Sequence, residues 1–173
     1  TAENKEEYLQ KLEEVIEIIK ESNLPKLVLS RRKIYIDFKE IDDVGETWEL
    51  FARDFLEANG FFIESTVDRG ADGKKDLIVS EQLKGNLGNY KFKWLVSCKH
   101  QAKSGKSVNE DNEPNILERV KSFNCDGFIG FYSTLPSAAL NTRLNQLKDN
   151  ETLKDYRVFD YKQIENYLIN LDG

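Results

Sequence analysis

The pattern of apolar positions separates a short N-terminal arm from the rest of the chain. Between Glu3 and Glu21 apolar residues recur at helical spacing, which predicts an amphipathic helix that ends before Pro25. Its apolar stripe consists of Tyr8, Leu12, Val15, Ile16 and Ile19. Short apolar runs within 26–38 favour extended chain, and 42–45 indicates a break. We therefore predict an N-terminal helical arm or connector over residues 1–44, which is a candidate homodimer contact.

The remaining residues, 45–173, carry regular signals for one α/β domain. The predicted elements are a helix at 46–59, strands at 61–67, 76–80 and 90–100, a helix at 114–123, a strand at 127–132, a helix at 137–148, a strand at 156–159 and a helix at 161–171. A polar, glycine-containing connection at 84–89 joins the second and third strands as a hairpin would. This order predicts a central mixed sheet of about five strands, flanked by helices.

Composition narrows the chemistry that such a domain can perform. The chain has 173 residues, the size of one domain with an appended arm. Its two cysteines and single histidine are too few for a disulfide framework or a structural zinc site, and the single histidine disfavours a Ser-His-Asp triad. No apolar run is long enough to span a membrane, and the low cysteine content favours the cytoplasm. Catalysis would rest on carboxylates, lysines and hydroxyls.

Basic residues are concentrated in one part of an acidic chain. The net charge is −6, yet residues 66–106 carry nine Lys and Arg against four Asp and Glu. This asymmetry predicts a basic face on an acidic body, although plain solvated surface is an equal alternative. The candidate phosphate contacts are Arg69, Lys74, Lys75, Lys91, Lys93, Gln101, Lys103 and Lys106.

Two predicted neighbouring strands bring an acid and an amine to one edge of the sheet. Asp76 opens an apolar run, while Ser97 and Lys99 share one face of the next strand because side chains alternate. Paired strands lie about 4.8 Å apart, so Asp76 and Lys99 would converge. Glu49 lies on the flank of the first helix's apolar stripe and could lean over the same edge. The pattern predicts a site for a metal ion and a lysine.

Such a site suits phosphodiester hydrolysis. Oxygen ligands hold Mg²⁺ or Mn²⁺, the ion activates a bound water, and Lys99 orients that water or balances the developing charge. Each residue also has a structural interpretation. Asp76 could cap the strand, Glu49 could pair with Arg53, and His100 has the parity of core residues.

Several stretches resemble the restriction-endonuclease-like nucleases of the PD-(D/E)XK type, in particular the type IV, Mrr-like branch. They are GETWELF at 45–51 with Gly60, GADGKKDL at 70–77, LVSCKH at 95–100, the strand at 127–134 and the helix start at 137–139. The resemblance implies a three-layer α/β/α fold over 45–171 and an Mg²⁺-dependent DNA endonuclease, plausibly a restriction or phage-defence effector. It also implies that Asp76 is the motif's first acid, Lys99 its lysine and Glu49 its helix carboxylate.

Ser97 departs from this family, which usually has Glu, Asp or Gln at that position. A hydroxyl is a poor metal ligand beside a carboxylate. Some type II restriction enzymes resemble a swapped version, Ser-x-Lys followed about 13 residues later by Glu. Here Lys99 is followed at that spacing by Glu113, just before Pro114. By this resemblance Glu113 is a candidate second metal ligand.

Two functions remain open at this point. The first is a metal-dependent endonuclease domain acting on DNA, with Asp76, Glu49 and Glu113 as metal ligands. Specificity or control would then come from further domains, subunits or a homodimer. The second is a catalytically inactive nuclease fold that binds DNA or scaffolds a complex, which Ser97 favours. The residues alone do not distinguish DNA from RNA.

Overall fold

The helices and strands follow the predicted order in a computed structural model, which describes residues 27–30, 33–36, 38, 47–66 and 76–169. The strands are β1 (Leu27–Ser30), β2 (Lys33–Ile36), β3 (Phe62–Thr66), β4 (Asp76–Gly85), β5 (Gly88–Lys99), β6 (Gly127–Tyr132) and β7 (Asp155–Phe159). The helices are α1 (Thr47–Ala58), α2 (Ile116–Ser122), α3 (Ala138–Asp149) and α4 (Tyr161–Ile169).

Five strands form one mixed sheet in the order β3-β4-β5-β6-β7, as predicted. The pairs β3–β4 and β4–β5 are antiparallel, whereas β5–β6 and β6–β7 are parallel. The antiparallel pair β4–β5 needs only a two-residue turn at Asn86 and Leu87. The parallel pairs need longer crossovers, which α2 and α3 provide. Strands β1 and β2 form a separate antiparallel pair.

Alternating residues of the sheet feed two hydrophobic cores, one on each face. On one side, Val96 and Phe131 pack with α1 and α4; we call this the α1/α4 face. On the other side, Leu95 and Phe128 pack with α2 and α3, and we call this the α2/α3 face. Helices on both faces give the three-layer α/β/α arrangement. The alternation predicted for β5 is confirmed, because Trp94, Val96 and Cys98 belong to the first core and Leu95 to the second.

Two local differences from the predicted elements have physical causes. Strands β4 and β5 run further than expected, because their polar ends lack a hydrophobic signal but still pair as far as Gly85 and Gly88. Helix α2 begins after Pro114, because Asn115 adopts a left-handed conformation with φ 52°. At α3, Ser137 caps the helix by accepting a bond from the Leu140 amide.

The N-terminal boundary is only partly described. Phe38 is buried, and its ring lies 5.5 Å from Trp48 and 6.3 Å from Phe51, centroid to centroid. The helix predicted at 3–21 and the turn predicted at 68–73 lie outside the described residues, and the separate arm over 1–44 stays a prediction. Within the part of the chain that is described, no helix has the length and apolar character needed to cross a membrane.

Candidate active site

The register of the sheet places Asp76, Ser97 and Lys99 together at one strand end. Asp76, the first residue of β4, stands directly opposite Ser97 in β5. Lys99 follows Ser97 by two residues and is the register partner of Tyr132, the last residue of β6. Opposed residues of an antiparallel pair, and residues two apart on a strand, belong to the same face. All four positions therefore lie on the α2/α3 face, with opposed Cα atoms about 5 Å apart.

Glu113 meets this strand end from the crossover between β5 and β6. The Ser97 hydroxyl donates a 2.9 Å hydrogen bond to Glu113 Oε2, and both residues are buried. The chain reaches this point through a short 3-10 turn, Glu110–Asn112. The turn is closed by reciprocal bonds between Asn109 and Asn112, in which each side-chain oxygen accepts from the other residue's amide at 3.0–3.1 Å. The Glu113 carboxylate is thus held in one position.

Glu113 has one engaged oxygen and one that is open. Arg119 Nη1 lies 3.0 Å from Glu113 Oε2, the oxygen that also accepts from Ser97. The other oxygen, Oε1, is buried and has no hydrogen-bond partner among the described residues. A buried carboxylate oxygen without a partner is costly unless a further group binds there. This open oxygen is the observation that makes Glu113 fit a metal ligand.

Tyr132 lies beside the same carboxylate. Its side chain is fully buried, and its hydroxyl faces the Glu113 carboxylate without forming a well-aligned hydrogen bond. Burial, and secondly the negative charge of Glu113, raise the pKa of Tyr132 well above its usual value. The ring lies against Gly130, where an added Cβ would come within 2.3 Å of it. Gly130 therefore provides the space that keeps Tyr132 next to Glu113.

Glu49 belongs to the helix that packs on the opposite face of the sheet from Ser97 and Lys99. It is half-buried on α1, and α1 packs on the α1/α4 face. The neighbouring Trp48 donates a 3.1 Å bond from Nε1 to the carbonyl oxygen of Phe131 and stacks on His100 with centroids 5.1 Å apart. The predicted structural position of His100 fits this contact. The metal role of Glu49 stays a prediction, and its alternative partner Arg53 forms an ion pair with Asp54.

The candidate phosphate contacts fall into three groups. Arg69, Lys74 and Lys75 lie outside the described residues. Lys103 and Lys106 are exposed on the loop that follows β5, and the Gln101 amide faces the carbonyl oxygens of Lys106 and Ser107 within that loop. Lys91 and Lys93 lie further back on β5, where Lys91 pairs with Glu64 at 2.5 Å. Their contact with nucleic acid stays a prediction.

Two carboxylate positions, Asp76 and Glu113, could hold a metal ion at this strand end. Mg²⁺ is commonly bound through one or two carboxylates together with substrate phosphates and water. Among the residues whose side chains are described, no group of three His, Cys, Asp or Glu residues is close enough to bind one ion. The structure gives the backbone position of Asp76, so the fit rests on its register opposite Ser97 and on Glu113 Oε1.

The mixed five-stranded sheet with helices on both faces is a restriction-endonuclease-like fold. A solved structure with this fold is that of the DNA modification-dependent restriction endonuclease AspBHI, which matches with a TM-score of 0.54 and 10% sequence identity. The match covers 70% of this chain and 30% of that chain. No family model matches the sequence, and no curated protein matches it either. The likeness establishes the fold.

Arg119 and Tyr132 are the site residues that the sequence pattern did not reveal. Arg119 lies six positions after Glu113, a spacing with no distinctive motif. Tyr132 ends an apolar strand and has the composition of a core residue. Tyr132 pairs with Lys99 in the parallel strands β6 and β5, which brings it to the end of β5. The sequence pattern does not show this pairing.

Proposed function

We propose that this chain is a metal-dependent endonuclease domain that hydrolyses DNA phosphodiester bonds, with a role in restriction or phage defence. The buried Ser97–Glu113 hydrogen bond carries the proposal, because it joins the strand with the candidate lysine to a carboxylate that has one open oxygen. The register of Asp76 opposite Ser97 adds a second acid to the same place. The restriction-endonuclease-like fold, which this chain shares with the DNA modification-dependent restriction endonuclease AspBHI, supports DNA as the substrate.

Each residue has a distinct part in this mechanism. Asp76 and Glu113 would hold Mg²⁺ or Mn²⁺, which polarises the phosphate and lowers the pKa of a bound water. Lys99, half-buried at the end of β5, orients the attacking water or offsets charge on the phosphate. Ser97 acts as a positioning residue, since its hydroxyl engages Glu113 Oε2, whereas Oε1 makes no hydrogen bond to the described residues. Arg119 balances the charge of Glu113 when no ion is bound.

Plasmid cleavage tests the proposal. We expect Glu113→Gln, Asp76→Asn and Lys99→Ala each to lower the rate about a hundredfold or more in Mg²⁺ or Mn²⁺, because metal coordination and charge stabilisation contribute several kcal/mol. Glu118→Gln is the matched control, since Glu118 is an exposed acid on α2. Equal cleavage by the wild type and Glu113→Gln, or no cleavage with any metal, would contradict the proposal. Circular dichroism should show that each variant is folded.

A catalytically inactive DNA-binding or scaffolding module is the second candidate. The Arg119–Glu113 ion pair favours it, because a guanidinium already neutralises the carboxylate that would hold the ion. Calorimetry with Mn²⁺ separates the two. The nuclease requires binding that Glu113→Gln and Asp76→Asn remove, whereas the inactive module requires that neither variant changes the titration.

A homodimer is part of the nuclease proposal, because cutting both strands of a duplex is simplest with two sites. The N-terminal arm is the proposed contact, although further domains or subunits would serve the same purpose. Sedimentation equilibrium of the full chain tests this. A single species at the mass of 20.0 kDa, unchanged by DNA, would contradict the dimer.

A further inference from the structure

The two hydrogen bonds that Glu113 accepts from described side chains end on the same carboxylate oxygen. Ser97 Oγ donates to Oε2 at 2.9 Å, and Arg119 Nη1 donates to it at 3.0 Å. Each oxygen of a carboxylate has about two lone-pair directions, so these two donors use the capacity of Oε2. Oε1 makes no hydrogen bond to the described residues. Glu113 therefore has one oxygen to offer a further ligand, and its other oxygen is already engaged.

Burial makes the contacts of Oε2 difficult to exchange. The side chain of Glu113 is 0% exposed and that of Arg119 is 21% exposed. Ser97 is fully buried as well. A buried carboxylate that loses a donor is left without a replacement from water, which is strongly unfavourable. We therefore expect Oε2 to keep both donors when a ligand binds at Oε1.

Both donors are held in place by the hydrophobic core. Arg119 belongs to α2, whose residues Ile116 and Val120 are buried in the core of the α2/α3 face. Ser97 is paired on both sides, with β4 and with β6. The two donors thus come from a helix and a strand that pack on each other. The contacts of Oε2 are fixed before any ligand arrives.

Arg119 also lowers the negative charge of the candidate metal site. Asp76 and Glu113 supply its two carboxylates, and the Arg119 guanidinium offsets the charge of one of them. The affinity of an oxygen-lined site for Ca²⁺ depends on the number of its charged ligands and on its rigidity. The site is therefore a weaker attractor of Ca²⁺ than its two carboxylates alone would be.

Divalent cations differ in what they require from a carboxylate. Ca²⁺ takes about six to eight oxygen ligands and often binds both oxygens of one carboxylate. Mg²⁺ is smaller, keeps several of its waters and is usually bound through about one or two carboxylates together with phosphate oxygens. Mn²⁺ accepts the same kind of oxygen ligands as Mg²⁺. A carboxylate with one available oxygen suits Mg²⁺ and Mn²⁺ and disfavours Ca²⁺.

We propose that Ser97 and Arg119 make the site selective for Mg²⁺ and Mn²⁺ over Ca²⁺, because they occupy Glu113 Oε2 and leave Oε1 as the single oxygen for the ion. This deepens the proposed function and rests on it. Ser97 and Arg119 are positioning residues, since both act through Glu113. The hydroxyl at position 97 thereby has a function other than binding the metal.

Electron paramagnetic resonance of Mn²⁺ tests the selectivity on the full chain without nucleic acid, because unbound Mn²⁺ gives the strong signal. Titration with manganese chloride gives the Kd for Mn²⁺, and calcium chloride added to the loaded protein gives the Kd for Ca²⁺ by displacement. We expect the ratio of the Ca²⁺ Kd to the Mn²⁺ Kd to fall about tenfold in Arg119→Gln, because this variant removes a donor from Oε2 and a positive charge from the site. In Ser97→Ala we expect a fall of about threefold, because only a donor is lost.

Lys121→Gln is the matched control, since it removes a positive charge from an exposed residue of the same helix. Its ratio should equal that of the wild type. Circular dichroism shows whether each variant is folded. Ser97→Ala retains the ion pair between Arg119 and Glu113, so it decides the question by itself if Arg119→Gln does not fold.

The outcomes separate this proposal from the proposed function. If the wild type binds Mn²⁺ through Glu113, but the folded Ser97 and Arg119 variants keep the ratio of Lys121→Gln, the selectivity proposal is overturned alone. A wild type that binds Ca²⁺ as tightly as Mn²⁺ would also overturn it alone. A wild type that binds no Mn²⁺, or that binds it equally well after Glu113→Gln, would overturn the selectivity and the proposed metal site together.

Discussion

The ring of Tyr132 lies over Gly130, two residues earlier on the same strand, in a space that only a residue without a side chain leaves open. An added Cβ at Gly130 would stand 2.3 Å from the ring and 2.4 Å from the hydroxyl oxygen. The strand cannot shift to relieve this, because Gly130 pairs with Ser97 on one side and Val158 on the other. The absence of a side chain at position 130 therefore determines where the Tyr132 hydroxyl lies relative to Glu113.

Gly130→Ala should therefore destabilise the fold by about 1–3 kcal/mol, the usual cost of overpacking a core. Combining it with Tyr132→Leu tests the cause, since a smaller side chain removes the clash. We expect the double variant to lose less stability in urea unfolding than the sum of the two single variants. Additive losses would mean that the two residues do not compete for the same space.

Ser97→Ala should cost more stability than Ser80→Ala. Both serines are fully buried on the α2/α3 face of neighbouring strands. Ser97 donates to the buried Glu113, whereas Ser80 donates to Glu64, whose carboxylate reaches water. Losing a hydrogen bond to a buried charge lowers the free energy of unfolding by about 1.5–3 kcal/mol. The loss is smaller for an exposed carboxylate, because water replaces the hydrogen bond. Urea unfolding of the two variants measures the difference as a shift in the midpoint, provided that the m-value is unchanged. Equal losses of stability in Ser97→Ala and Ser80→Ala would contradict the assignment of Glu113 as a buried charge.

Tyr132 should make the protein less stable at alkaline pH. Its pKa in the folded state is raised above the usual 10.0, so its contribution to stability is complete below pH 10 and is lost as the pH rises toward the folded pKa. One such group changes the free energy of unfolding by about 1.4 kcal/mol per pH unit in that window. Urea unfolding between pH 7 and 11 should show this extra slope in the wild type and not in Tyr132→Phe.

Tyr90→Phe is the matched control substitution for this experiment, since Tyr90 is 53% exposed in β5. Absorbance at the phenolate band gives an independent measurement, because the late ionisation of Tyr132 should disappear from the titration in Tyr132→Phe. A titration in which both variants match the wild type would contradict the raised pKa.

Mn²⁺ should stabilise the wild type against heat. A ligand at about 100 times its Kd adds about 2.7 kcal/mol to the free energy of unfolding. For a chain of this size we expect Tm to rise by roughly 5–10 °C. Glu113→Gln should abolish the rise, and Glu118→Gln should retain it. Equal shifts in all three proteins would place any metal binding elsewhere on the chain.

The sequence predicted the parts of the fold that depend on local periodicity. Alternation along β5 assigned Trp94, Val96 and Cys98 to one face and Ser97 and Lys99 to the other, because side chains of a strand have a period of two. The resemblance to the swapped Ser-x-Lys motif also pointed to Glu113, whose contact with Ser97 the structure shows. What remained hidden depends on long-range geometry. Arg119 and Tyr132 reach Glu113 only through the crossover and the parallel register of β6.

The outer part of the β4–β5 hairpin was hidden for a different reason. Residues 84–89 are polar except for Leu87 and contain two glycines, so they indicated a connection. Their pairing depends on backbone hydrogen bonds, which leave no hydrophobic pattern in the sequence. A strand that is exposed on both faces carries little of the periodicity that predicts buried strands.

The mixed direction of the sheet sets an order of assembly. β4 and β5 are joined by a two-residue turn and can pair as a local hairpin, whereas β6 must cross over after α2 before it pairs with β5. The hairpin alone carries Asp76, Ser97 and Lys99 but lacks Glu113 and Tyr132. The proposed metal site is therefore incomplete until the crossover and β6 have docked on the hairpin.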